Sequence, residues 1–169
     1  RGERSQNGYL LACFDIRLDE KGCLASARRI REEEEAQGTK WYAYVETPNP
    51  SPWYNGQTYV NTLDKAAMER FIQVTYERYL ETVGEDFGGR VPAIFTDEPQ
   101  FPHKRTLSFA DDKADVVIPW TDDLPDTFSA AYGEDLVAKI PELFWELPKG
   151  VSTVRYHYHD HVCERFTQA

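Results

Sequence analysis

Two adjacent acids, Asp97 and Glu98, follow the apolar run Ala93-Ile94-Phe95 and Thr96, and Pro99 comes directly after them. Side chains alternate along a strand, so a strand here would put Ile94, Thr96 and Glu98 on one face and Ala93, Phe95 and Asp97 on the other. An acid at the rim of an apolar interior is harder to ionise, and a general acid working near neutral pH needs that property. The pattern therefore casts Glu98 as a candidate proton donor and Asp97 as a residue that hydrogen-bonds and orients its surroundings. The competing reading makes both acids turn or capping residues of an acidic loop.

A second segment ends in the same way. In "KWYAYVETP" Glu46 stands next to Thr47-Pro48, with Tyr42 and Tyr44 on its face. The Pro- and Asn-rich loop that follows carries Trp53, Tyr54 and Asn55. Flat aromatic faces beside amide and carboxylate groups suit a sugar, whose ring faces stack and whose hydroxyls need both donors and acceptors. Glu46, Asp97, Trp53, Tyr54 and Asn55 are thus candidate substrate-binding residues. Trp53 filling a gap in the core is the alternative. In "HYHDH" His157 and His161 share a helical face with Asp160 beside them, but two histidines fall short of the three protein ligands a catalytic zinc usually takes. "ADDKAD" and "TDDLPD" lack calcium-loop spacing, and Asp122 or Asp123 reads better as a helix cap. No metal and no cofactor is expected.

The elements that would position these groups can be read from periodicity and breakers. Tyr9 to Ile30 reads as a β-hairpin turning at Gly22, and a charged run ending at Gly38 follows it. Lys40 to Pro48 reads as a third strand. Residues 64–84 show a helical apolar stripe through Met68, Ile72, Tyr79 and Val83, with Asp64 as cap and Gly84 as stop. "RVPAIFTDEP" reads as the next strand. Strand, helix, strand at this spacing predicts a βαβ unit with two parallel strands. Beyond it lie an irregular excursion, two short helices broken at Gly133 and Pro141, and a last helix capped by Ser152 with Val154, Tyr158, Val162 and Phe166 on one stripe.

The expected fold class is therefore α/β, a partial (β/α)8 (TIM) barrel with an N-terminal β-hairpin, two parallel strands and several helices. Residues 1–169 read as a fragment of one such domain: 1–38 hairpin and acidic connector, 39–100 βαβ unit, 101–169 helical excursion and terminal helix. Two parallel strands leave edges and apolar helix faces uncovered. Self-association of the fragment, or contact with the missing part of the barrel, is the expected consequence, together with inactivity of the isolated piece.

Composition narrows the function classes. The chain is 41% hydrophobic and 14% aromatic, which is globular. A formal net charge of -10 argues against nucleic acid as a partner, because phosphate binding needs a basic patch. No apolar run is long enough for a membrane helix, so no membrane partner is expected. Cys13, Cys23 and Cys163 are an odd set without metal spacing. Cys13 and Cys23 are near enough to meet across a hairpin, but unpaired buried thiols are the favoured reading, and they lean toward a cytoplasmic compartment.

The ordered series "SPWYNGQTYVNTLD", "PAIFTDEP" and "PWTDDLPDTFSAAYGEDL", continued by "PELFWEL" and "VRYHYHDHVCERF", resembles the catalytic-domain segment of large bacterial glycoside hydrolases of the (β/α)8 type related to the α-L-rhamnosidases. The similarity is densest from Ser51 to Phe166. It implies a carbohydrate substrate and carboxylate acid/base catalysis. It carries over Glu98 alone as catalytic acid, in a "DEP" that is similar to the "NEP" motif of retaining barrel glycosidases, with Asp97 in the Asn position. A non-catalytic carbohydrate-binding or interaction module on the same scaffold is the alternative.

Overall fold

β1 (Tyr9–Leu18) is buried on both of its faces from Ala12 to Ile16. Only a strand with neighbours on both edges and cover above and below reads that way. In the computed structural model, which describes residues 8–102, 104–109 and 114–169, β1 is the central strand of a three-stranded sheet of order β2-β1-β3. β2 (Leu24–Ile30) pairs antiparallel with one edge in a register that sets Cys13 opposite Ile30 and Asp15 opposite Arg28. β3 (Thr39–Val45) pairs antiparallel with the other edge, with Phe14 opposite Trp41 and Asp15 opposite Lys40. The hairpin turn closes through Gly22, at φ 78°, and through Asp19, whose carboxylate accepts from the N–H groups of Lys21 and Cys23.

The connector from β2 to β3 folds back onto the sheet because Asp15 holds it. The carboxylate accepts from the backbone N–H of Gly38 (2.7 Å) and of Gln37 (3.1 Å), and Arg28 stands 3.8 Å away. Lys40 adds a second clasp, donating to the carbonyls of Glu32 and Glu34. A Cβ on Gly38 would run into the carbonyl oxygen of Ile16, so only glycine fits there.

The chain divides into two compact units, the first made of residues up to Tyr59 with Asp122–His161, the second of Val60–Thr121 with Val162–Ala169. In the first, the sheet is joined by α3 (Leu124–Tyr132), α4 (Leu136–Lys139) with a 3-10 turn at Ile140–Leu143, and α5 (Thr153–Gln168) as far as His161. Phe14, Ile16, Leu24, Leu124, Phe128, Leu136, Ile140, Leu143, Val154 and Tyr158 form its core. Trp41 lies edge-on to Phe144 and to Trp145, each 5.4 Å between ring centres. Arg155 donates to the carbonyls of Glu142 and Trp145 and to the Glu146 carboxylate, and the Glu146 carbonyl accepts from Leu24. Gly133, at φ 70°, ends α3, and Asp135 caps α4 by accepting from Ala138.

The second unit holds α1 (Lys65–Val74) and α2 (Tyr76–Val83). Asp64 caps α1, accepting from Ala66 and Ala67. Neither helix has a buried residue, and Tyr79 and Leu80 are exposed.

These observations overturn the barrel. Among the described residues the only sheet is antiparallel, and no ladder of parallel strands exists. β3 takes the free edge of β1 instead of founding a βαβ unit at 39–100. Residues 92–100 form no strand; they are exposed throughout, Phe95 by 85%. Pro92 and Pro99 withhold two N–H donors from any ladder there, and no strand lies alongside to accept the rest. The helix expected over 64–84 is broken at Thr75, whose hydroxyl bonds the carbonyl of Phe71 at 2.5 Å. α2 does end at Val83 with Gly84 at its C-cap, and Gly84 keeps helical angles and opens a 3-10 turn. Cys163 is exposed rather than buried, and the three cysteines form no disulfide.

Hydrogen bonds from Gly38 and Gln37 hold the Asp15 carboxyl below the usual carboxylate range. Folded Asp15 therefore binds a proton less readily than unfolded Asp15. Its stabilisation is fully present above the ordinary carboxylate pKa of about 4 and is lost as pH falls through the lower folded value. Urea unfolding of Asp15→Asn should show reduced stability at pH 7 and a shallower decline below pH 4 than the wild type. Equal decline in both would remove Asp15 from this role.

Candidate functional site

Asp97 and Glu98 sit in the second unit, on the segment that the barrel reading made a strand. Both are exposed. The apolar surroundings expected around Glu98 are absent, since its neighbours Ile94 and Phe95 are themselves turned to solvent. Glu98 has φ 32°, in the left-handed region that non-glycine residues enter at a cost, and Pro99 follows it. Strict alternation does not govern these side chains, because the backbone is not a strand.

Hydrogen bonds nevertheless fix both ends of this acidic tip. On its N-terminal side the hydroxyls of Thr96 and Tyr76 meet at 2.8 Å. On its C-terminal side the Thr62 hydroxyl donates to the carbonyl of Gln100, also at 2.8 Å. Phe101 then lies edge-on to Phe166 of α5, 5.1 Å between ring centres. Spacing arguments missed Thr62, Tyr76 and Gln100, because a single hydroxyl or carbonyl has no periodicity; only Thr96 stood within the motif.

The other candidates belong to the first unit. Glu46 is exposed, one residue past the end of β3. Trp53, Tyr54 and Asn55 lie on a tight loop closed by its own hydrogen bonds. Ser51 and Gln57 form a bridge, the Ser51 carbonyl accepts from Tyr54 and Gly56, and the Ser51 hydroxyl accepts from Trp53. Asn55, at φ 53°, and Gly56, at φ 73°, turn the chain. The loop holds Trp53 85% exposed, which removes the core-gap reading. Tyr54 is 38% exposed and packs its ring 5.1 Å from that of Tyr59. Trp53 is thus the free platform, and Tyr54 helps to shape the loop beneath it.

The histidines serve the first unit's packing. His157 stacks flat on Tyr132 at 4.3 Å and bonds Glu134, while buried His161 bonds the Thr127 hydroxyl. The Tyr132 hydroxyl donates to Asp160. No group of three or more potential metal ligands converges among the described residues. Asp123 occupies the N-cap position of α3 without a side-chain cap bond, and Asp122 instead accepts from Tyr9. Most of "ADDKAD" lies outside the described residues. No described helix is long and apolar enough to cross a membrane.

Removing an indole that is already in water costs the fold little. Trp53→Ala should change unfolding free energy by no more than about 0.5 kcal/mol, measured by urea titration. A loss well above that would mean that the ring is a structural support. Compared with models of known protein families, with curated proteins and with solved structures, the chain matches none.

Proposed function

We propose that this chain is part of a carbohydrate-active enzyme that hydrolyses glycosidic bonds, with Glu98 as the proton donor to the leaving oxygen. The observation that carries the reading is the exposed Asp97-Glu98 pair on a tip tied down at Thr96 and Gln100. A proton donor must reach its substrate in a fixed position, and an exposed carboxyl on an anchored segment meets those two needs without the apolar surroundings that the sequence led one to expect. Asp97 orients the tip or the sugar. The resemblance of "PAIFTDEP" and the segments around it to glycoside hydrolases points the same way. Hydrolysis of a glycosidic bond takes a second carboxyl, about 5–5.5 Å away for retention and 6.5–9.5 Å for inversion. The proposal assigns the acid alone. Separately, Glu46, Trp53 and Asn55 are proposed as sugar-binding residues of the first unit by itself.

A second reading, a carbohydrate-binding module without catalysis, draws on Trp53. A rigid loop that holds an indole in water is the form that sugar-stacking platforms take.

The two readings separate in one experiment on the natural full-length protein. Aryl glycosides of several sugars are assayed with wild type and Glu98→Gln, and binding of the corresponding free sugars is followed by calorimetry. The enzyme reading expects turnover that falls about 10²-fold or more in Glu98→Gln, which keeps the shape of the side chain but has no proton to donate. Sugar binding that is abolished by Trp53→Ala, without any turnover in the wild type, would sink the enzyme reading in favour of the module.

A further inference from the structure

We infer that Thr62 and Tyr76 are positioning residues that set where the Asp97 and Glu98 carboxylates stand. The inference rests on the reading of Glu98 as the acid. Residues 92–100 lie in no helix or strand, so no ladder holds them. Among the described residues, one hydroxyl bonds the segment on each side of the acids. Tyr76 bonds Thr96, immediately before Asp97, and Thr62 bonds the carbonyl of Gln100, immediately after Pro99. The two bonds bracket Asp97, Glu98 and Pro99, and proline removes one soft torsion from the three.

Both posts are themselves fixed. Thr62 is 4% exposed, and its chain neighbours are pinned. The Asn61 side chain donates to the Thr121 hydroxyl and accepts from Leu63 N–H. Arg165 donates twice to the Leu63 carbonyl, at 2.9 and 3.1 Å. Directly beyond, Asp64 caps α1. A hydroxyl mounted on so constrained a turn transmits little motion to the carbonyl it bonds. Tyr76 opens α2, and its half-buried ring stands edge-on to Phe71 at 5.9 Å. Its hydroxyl meets that of Thr96. Thr62 thus acts through the Gln100 carbonyl and Tyr76 through the Thr96 side chain.

The test uses Thr62→Val, Thr62→Ser and Tyr76→Phe in the natural full-length protein. The first and third remove a hydroxyl at nearly constant shape, and Thr62→Ser keeps it. One readout is the heteronuclear NOE of the Asp97 and Glu98 amides, and the other is kcat and KM on an aryl glycoside. Thr62→Val and Tyr76→Phe should lower the NOE at residues 97 and 98 but not in α1. They should lower kcat by about tenfold to a hundredfold with KM within about twofold, as expected for a misplaced catalytic group. Thr62→Ser should match the wild type in both. An unchanged NOE at the tip, a drop spread equally over α1, or a lowered NOE with wild-type kcat would each overturn the inference. A lowered NOE confined to the tip, in a protein whose wild type hydrolyses no glycoside, would uphold the anchoring and remove the glycosidase reading instead.

Discussion

The Asp15 carboxylate is buried in the middle of the central strand, and the first unit is organised around satisfying it. A buried carboxylate without partners is costly, so the chain around it has to supply donors. Gly38 and Gln37 supply two N–H groups, and Arg28 supplies a nearby charge. Those donors lie in the connector that leaves β2, so satisfying Asp15 folds the connector over the sheet and delivers Thr39 to the free edge of β1. Once β3 sits there, Trp41 is opposite Phe14, and the aromatic cluster with Phe144 and Trp145 follows. A register set by one polar group thereby decides which face of β3 reaches the core.

The second unit is built differently. Among its described residues Leu63 and Val162 are the large aliphatic side chains that reach full burial. With so small a core, position is set by individual polar contacts: the Arg165 bonds to Leu63, the Asn61 turn, the Thr62 and Tyr76 hydroxyls. Segments secured in this way open more easily than ladder-bonded ones, because each bond contributes only about 0.5–1.5 kcal/mol net. The acidic tip is therefore held in place without being sealed in.

Much of the local structure was legible. Gly22 marked the hairpin turn, Asp64 the start of α1, and Gly133 the end of α3. Each is a short-range effect of one residue on its own backbone. The partners of β3 and of residues 90–98 were not legible. Periodicity says that a segment is extended and which side is apolar, but it does not say which edge the segment will meet. The βαβ reading took chain order as a guide to pairing, whereas Asp15 and the connector gave β3 an antiparallel partner. Thr75 shows the same limit inside a helix: the apolar stripe runs on through it, while its backbone leaves helical angles and its hydroxyl shares the Phe71 carbonyl with its own N–H. Of the candidate residues, Glu98 and Trp53 were picked out by residue type, each in its own unit, while the hydroxyls bonded to Glu98's segment carried no pattern.

The Trp53 loop and the acidic tip, each within its own unit, are held by a few hydrogen bonds while presenting exposed side chains. Both lie outside the sheet; the first is a 3-10 turn closed by its own hydrogen bonds, and the second is bonded to residues 20 and 38 positions away. Each presents to water a side chain that the fold does not need there. An exposed indole forgoes the roughly 1.5–3 kcal/mol that burial of a large apolar side chain returns. A glutamate at positive φ carries a backbone cost of about 1–2 kcal/mol. Neither side chain is buried in the fold: Trp53 is 85% exposed, and Glu98 lies on an exposed segment. Local strain without a local return is characteristic of binding and catalytic segments, where a ligand supplies the compensating contacts.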